Sequence, residues 1–486
     1  MFPKGVTVDS KCVYDNVDSS SWDNRVVKLL RSIYGLKSSP QLFNKLLNEF
    51  LEKDLKLTRA SSDTCLYYSN TEDGFVLLAT EVDDLVITGN DSKKLQEIRS
   101  LLETKFKMKD WDNPIKSFLG INIDYDMANS RLSMDVNDKV AKLFNEKHTT
   151  LKSVRPRKTP LPPKEPISMS SDSEKVLERH YTRVQQYIAD NYASIVGALI
   201  YMSITCRPDI SFAIGRVSRG MQAPTYTHVK MLEHLCGYMR NFPHLKLTYQ
   251  RSGSPIYSHL QHLSEKDTAL SSLCYLDYRG DRHTQEQRDL NGDPMFGMTD
   301  SDYANTTEER RRSISGYCFF VYGCLVNWKS KLQPLTAAST HEAELIAMSF
   351  AADEAIWLRR LLLEVGFSVP AVWHMRHNEA DDDPTEFADR ATEKWITKMR
   401  PTWLLGDNQS AIFTANNPET SQRSKHLEIR WFRIRDYIQN LTLQVRHIPT
   451  LDNVADFFTK SLQGEEQFGR FRMHLMGTQD YDPKCK

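Results

Sequence analysis

Apolar side chains recur in steps of three and four from Leu345 through Met348, Ala352, Ala355 and Leu358 to Leu362. That spacing marks one buried face of a long helix. Ser339 or Thr340 supplies a capping hydroxyl, and Glu342 and Glu344 suit the positive end of the helix dipole. Gly366 stands where the helix must stop. Around this helix, from Met298 onward, the pattern predicts strands at 298–303, 316–322 and 325–329 before it. After it come a strand at 403–406, a helix at 408–417, a strand at 442–448 and a helix at 453–462. Upstream, Pro40 fits the first turn of a helix, and 64–69 with 75–80 form a hairpin about Asp73-Gly74. Residues 85–89 return from a second bend, 92–106 form a helix, and 118–123 with 131–134 form another strand pair. Helical periods follow at 191–205, 210–221 and 228–241. The fold class expected is a multidomain α+β or α/β protein.

At 486 residues the chain exceeds one ordinary core, so two or three domains are expected. Prolines at 156, 160, 162, 163 and 166, followed by a serine-rich run, predict an extended linker. Lys plus Arg and Asp plus Glu each number 63, so overall charge selects no partner, and any nucleic-acid surface must be local. The eight cysteines form no CxxC pair, which predicts reduced thiols in an intracellular protein. No apolar run approaches the roughly 20 residues of a membrane helix, so no membrane partner is expected. The N-terminus is no signal peptide.

Four acids fall at the ends of elements predicted after residue 297. Asp300 lies in the first strand, Glu344 in the first turns of the long helix, Asp407 closes the fourth strand, and Asp456 opens the last helix. Each alone reads first as a surface acid. Together, in that order, they suit Mg²⁺, which takes oxygen ligands and keeps substrate phosphate oxygens in its shell. Two such ions activate water and stabilise the leaving oxygen of a phosphodiester. Glu342 lies about 200° around the helix from Glu344, so Glu344 is the expected ligand.

Thr299-Asp-Ser-Asp-Tyr-Ala304, Arg311-Arg-Ser-Ile-Ser-Gly-Tyr317, Trp328-Lys-Ser-Lys331 and Ser339 to Met348 resemble the ribonuclease H domain of Ty1/copia-type retrotransposon Pol polyproteins. So do Asp407-Asn-Gln-Ser-Ala411, Arg423-Ser-Lys-His426 and Asn453-Val-Ala-Asp-Phe-Phe-Thr-Lys460. The resemblance implies catalytic and metal-binding roles for Asp300, Glu344, Asp407 and Asp456, with two Mg²⁺ ions as cofactor (Mn²⁺ the alternative). It also implies hydrolysis of the RNA strand of an RNA–DNA hybrid. Ser32-Ile-Tyr-Gly-Leu-Lys37, Asp63-Thr-Cys-Leu-Tyr67, Val82-Asp-Asp84 and Phe118-Leu-Gly-Ile121 resemble the latter part of the reverse transcriptase of the same polyproteins. That resemblance makes Asp83 and Asp84 metal ligands. Glu81 replaces the family's usual aromatic residue, and the family's first polymerase aspartate belongs upstream of Met1. DNA synthesis by this chain is therefore not expected.

The resemblance divides the chain into 1–150, a partial reverse transcriptase, and 151–190, the Pro/Ser-rich linker. Residues 191–296 are a connection region, and 297–465 a ribonuclease H-like domain with an insertion near 378–400. Residues 466–486 are a tail. Arg423, Lys425, His426, Arg430 and Arg433 crowd one segment and form the expected contact with phosphates. The partners implied are RNA–DNA hybrid, DNA, RNA and the remaining parts of a Pol polyprotein, in cytoplasm or nucleus. The competing expectation is a decayed or co-opted product that binds nucleic acid or a partner without catalysis.

Overall fold

The computed structural model describes residues 39–106 apart from 72 and 83, then 108, 112–145, 148–162, 174–250, 255–256 and 295–304. It further describes 311–366, 401–417, 433–462 and 464–478. The architecture is mixed α/β with several sheets. Two compact units separate: Met1–Asn113 with Arg360–Phe367, and Pro114–Arg359 with Ser368–Lys486.

In the first unit, helix α1 (Ser39–Glu49) runs on into one wider turn, Phe50–Asp54. Strands β1 (Thr58–Arg59), β2 (Leu66–Thr71), β3 (Gly74–Glu81) and β4 (Asp84–Gly89) form an antiparallel sheet in that order. Period-two alternation turns Val76, Leu78 and Thr80 of β3 inward. There Val76 and Leu78 pack with Leu47, Leu51 and Tyr67, and with Ile98 and Leu102 of helix α2 (Ser92–Phe106).

The second unit opens with β5 (Ser117–Phe118), β6 (Ile121–Asp126) and β7 (Arg131–Asp135), followed by helix α3 (Asn137–Phe144). Helices α4 (Glu174–Ala189), α5 (Tyr192–Thr205), α6 (Ser211–Val217) and α7 (Tyr226–Asn241) come next, and then β8 (Leu247–Gln250). Strand β8 pairs with β7, Leu247 opposite Met134, and completes a four-stranded antiparallel sheet. That pairing places residues 114–150 in the second unit rather than with the segment before them, so the compact units divide at 113/114 and not at 150.

The second sheet of this unit contains β9 (Met295–Asp302), β10 (Ile314–Val321), β11 (Cys324–Leu332), β12 (Thr402–Gly406) and β13 (Leu443–His447). Its order is β11-β10-β9-β12-β13, with the first three strands antiparallel and β12 and β13 parallel to β9. Helix α8 (Thr340–Glu364) starts with Ser339 Oγ accepting from Glu342 N at 3.1 Å while Glu342 Oε2 accepts from Ala338 N at 2.6 Å. This close variant of a capping box makes Ser339 the cap and gives Glu342 a structural task at the helix start. Helices α9 (Gln409–Asn416), α10 (Arg433–Gln439) and α11 (Glu465–Met476) complete the unit. One continuous core runs from Val136 to Met476, so the helices before residue 250 and the sheet after 295 share buried side chains.

Three expectations require correction. Residues 174–189 are helix α4, not linker: Tyr187 is fully buried, and the tract's polar composition is an exposed helix face. Residues 465–476 are helix α11, not tail, with Phe468, Phe471 and Leu475 buried at steps of three and four. Residues 453–462 form no α-helix. Two 3₁₀ turns, Thr450–Asp452 and Val454–Phe458, hold this stretch, the second capped by Asn453, whose side chain accepts from Ala455 N at 3.2 Å. The expected insertion at 378–400 lies outside the described residues.

Candidate metal centre

Central strand β9 is buried along nearly its whole length, so Asp300 near its end carries a carboxylate into the interior, only 2% exposed. Opposite it on β10 is Gly316. A Cβ on Gly316 would lie 2.7 Å from Thr459 Cγ2 and 2.8 Å from Phe458 Cβ. The missing side chain is therefore what lets the 3₁₀ turn rest on the sheet. Asn453 Nδ2 donates to Thr299 O at 2.9 Å and fixes that turn from its start. The consequence is that Asp456, 2% exposed, comes beside Asp300. Asp407 follows the last residue of β12 directly, before Asn408 caps α9 by accepting from Ala411 N at 3.0 Å.

Carboxylate oxygens of Asp300, Asp407 and Asp456 all lie within 4.8 Å of one another. Glu344, 6% exposed, stands close enough to feel their charge, and its Oε2 is buried with no hydrogen-bond partner. Burial pushes Glu344 well above the usual carboxylate range, and the charges of Asp300 and Asp407 push it further. Burial likewise raises Asp300, with Lys460 and the Thr459 hydroxyl opposing. Burial and then the charge of Asp300 raise Asp456 to about 8. Acids in such a position are costly unless protonated or matched by a cation. An all-oxygen donor set at this spacing, with one orphaned buried oxygen beside it, fits a hard divalent ion such as Mg²⁺.

Two residues without an assigned role in the sequence pattern complete the centre. Thr459 Oγ1 donates to Asp300 Oδ2. Lys460 Nζ lies 2.9 Å from Asp456 Oδ1 and 3.9 Å from Asp300 Oδ2. Their sequence signal is the i,i+4 spacing of Asp456 and Lys460, which reads as an ordinary surface pair until the turn proves buried.

The other candidates are placed as follows. Asp84 opens β4 opposite Glu81, and both are exposed, whereas Asp83 lies outside the described residues. Arg423, Lys425, His426 and Arg430 also lie outside them. Arg433 is described at the start of α10, where its Nη2 donates to Asp353 Oδ2.

Comparison with known proteins agrees with the resemblance to reverse transcriptase and to Pol polyproteins. Residues 11–161 match the reverse transcriptase (RNA-dependent DNA polymerase) family. The chain is 28% identical over 441 residues to the retrovirus-related Pol polyprotein from transposon TNT 1-94 of Nicotiana tabacum, covering 90% of this chain and 27% of that protein. It is 26% identical over 441 residues to the Pol polyprotein from transposon RE1 of Arabidopsis thaliana, covering 90% of this chain and 24% of that one. A transposon Ty5-1 protein of Saccharomyces cerevisiae is 27% identical over 290 residues, covering 58% of this chain and 88% of its own length. The chain thus spans about a quarter of the two Pol polyproteins. No solved structure matches it. With a reverse transcriptase segment at 11–161 and Pol relatives aligned along nine-tenths of its length, the chain belongs with the Pol polyproteins of Ty1/copia-type retrotransposons.

Proposed function

We propose that residues 297–465 act as a ribonuclease H-type endonuclease that hydrolyses the RNA strand of RNA–DNA hybrids. The observation that carries this reading is the convergence of Asp300, Asp407 and Asp456, from two strand ends and a 3₁₀ turn, within 4.8 Å. The mixed five-stranded sheet, antiparallel over three strands and parallel over the last two, supports it. Asp300, Asp407 and Asp456 would hold the divalent ions, with Glu344 completing the oxygen set. Such ions, when bound, generate the attacking hydroxide and stabilise the leaving oxygen. The chain's own part is positioning. The Thr459 hydroxyl fixes one Asp300 oxygen, Lys460 restrains Asp456, and burial of three acids keeps water from competing for their oxygens. The basic residues Arg423, Lys425, His426 and Arg430 would hold hybrid phosphates without reading sequence.

The assay is cleavage of a labelled RNA–DNA hybrid by the purified chain with Mg²⁺, with Asp407→Asn as control. Metal-dependent cleavage lost in the mutant is expected. An inactive native chain that still binds hybrid would favour a co-opted binding protein instead. DNA synthesis rests on the family match to residues 11–161 alone, and primer extension on a homopolymer template tests it separately.

A further inference from the structure

The cluster of Asp300, Asp407 and Asp456 holds a cation of its own. Lys460 Nζ sits 2.9 Å from Asp456 Oδ1 and 3.9 Å from Asp300 Oδ2, against oxygens that would take a divalent ion. Mg²⁺ binds oxygen at about 2.0–2.1 Å, so an ion shared by these acids and an ammonium on the same oxygens would lie only about 4 Å apart. Two cations at that separation repel, and the repulsion grows as the surroundings become less watery. The singly charged ammonium competes for these oxygens with an ion of twice its charge, and it is the one that yields them. Lysine is suited to leaving, because its ammonium is a point charge on a flexible four-carbon stem. The stem starts from a fixed backbone, with Lys460 N donating to Asp456 O at 3.2 Å, while the side chain remains 33% exposed and so has a route to solvent. Asp300, by contrast, stays pinned by Thr459 when the ammonium departs.

We propose that Lys460 is a tethered counter-ion. It holds Asp300 and Asp456 together in the ion-free chain, is displaced when a divalent ion enters, and thereby sets the affinity for that ion. The proposal rests on the metal-centre reading and adds a positioning residue to it. A purely structural lysine would behave in the opposite way: its loss would loosen the acids and weaken ion binding.

The test is isothermal titration calorimetry of the full chain with MgCl₂, and separately MnCl₂, at one pH and ionic strength. The proteins are the native chain, Lys460→Met, Lys460→Gln and Asp407→Asn. Both lysine variants are expected to bind the ion about tenfold more tightly, because no ion pair has to be broken first. Asp407→Asn is expected to bind more weakly than the native chain. Equal or weaker binding by both lysine variants, with native binding intact, overturns the role of Lys460 and leaves the metal centre standing. No binding by the native chain or either lysine variant overturns the metal centre itself. A second measurement needs no mutant. Amine-reactive labelling of the native chain, read by peptide mass spectrometry, is expected to modify Lys460 faster when the ion is saturating, and an unchanged rate overturns the displacement.

Discussion

Glu344→Gln separates the charge of the carboxylate cluster from its shape. Glutamine keeps the size of glutamate, and its amide can donate towards Asp300 and Asp407, whose charges Glu344 now opposes. The native side chain is 6% exposed with Oε2 unpartnered. A buried polar or charged group left without a partner costs about 1–3 kcal/mol, so the variant should gain roughly that amount. One kcal/mol moves the melting point of a domain of roughly 150–250 residues by about 2–4 °C, and a larger unit by less. A rise of a few degrees is expected. Its pH dependence follows from the raised folded-state pKa. Below the unfolded value near 4.5, Glu344 is protonated in both states and the variant gains nothing. As pH rises past that value the unfolded chain releases its proton more readily than the folded one, so native stability falls relative to the variant. The advantage therefore grows from acid towards neutral and mildly alkaline pH. Saturating Mg²⁺ should reverse the order, because the native chain gains binding energy that the variant largely lacks. Differential scanning fluorimetry across that range, with and without Mg²⁺, reads all three features, and hybrid cleavage should fall by about 100-fold. A variant that melts lower than the native chain at mildly alkaline pH without Mg²⁺ would refute the electrostatic account. The parallel change at Glu342, whose carboxylate only caps the helix, should leave cleavage within about twofold.

Gly316→Ala should push the 3₁₀ turn off the sheet, because its Cβ would meet Thr459 Cγ2 at 2.7 Å and Phe458 Cβ at 2.8 Å. A loss of about 1–3 kcal/mol by thermal melting, together with weakened Mg²⁺ binding by calorimetry, is expected. Thr459→Val keeps the shape and removes the hydroxyl that Asp300 accepts from, so ion affinity should fall by about tenfold at a stability cost near 1 kcal/mol. Because Asp456 is raised to about 8, Mg²⁺ at neutral pH competes with a proton on Asp456 as well as with the Lys460 ammonium. Affinity measured by calorimetry should rise from pH 6 to pH 8 with proton release, and a flat profile would contradict the shift. Asp209→Asn breaks a fully buried pair in which Arg207 Nε and Nη2 each donate at 2.8 Å, and chemical denaturation should register a loss of about 3–5 kcal/mol.

Where local pattern and packing agree, the sequence is legible. Helix α2 occupies Ser92–Phe106 as its periodicity requires, and α8 begins at the cap supplied by Ser339 and ends just before Gly366, whose φ of +88° only glycine adopts readily. The strand ends bearing Asp300 and Asp407 were legible for the same reason. What the pattern hides is long-range. Leu177, Tyr181, Val184 and Tyr187 recur at helical steps between 174 and 189, but the proline-rich stretch and serine-rich run before them make the tract read as linker. Residues 465–476 carry a helical period whose significance depends on a core completed by segments more than 200 residues earlier. The 3₁₀ turn at Val454–Phe458 has helical composition, but Asn453 bonds into β9 and holds it to a single tight turn. The pairing of Arg433 with Asp353, 80 residues earlier on α8, is likewise long-range and carries no local signal.

The placement of Asp456 ties the candidate site to the helical region before it. The turn carrying Asp456 is held on one side by β9 and β10, through Asn453 and the space at Gly316. On its other side Phe457 stacks on Phe468 of α11 with ring centroids 4.7 Å apart, and Phe468 meets Tyr238 of α7 edge-on at 5.7 Å. Tyr238 in turn donates to Asp209 at 2.7 Å, which closes the buried pair with Arg207. Ser461, one residue past Lys460, donates to Pro162 O at 3.2 Å and fastens the same segment to the proline-rich stretch. A boundary at 296/297 therefore runs through a packed interior rather than a linker. The sheet sets the backbone that carries Asp300 and Asp407, with Thr459 of the turn segment bonded to the Asp300 carboxylate, whereas Asp456 and the lysine beside it are set jointly by the sheet and the helices. Loss of packing around Tyr238 would thus reach the centre through Asp456, Lys460 and the Thr459 bond to Asp300, while leaving Asp407 in place. The position of Asp456 is where the helices before residue 250 bear on the candidate site.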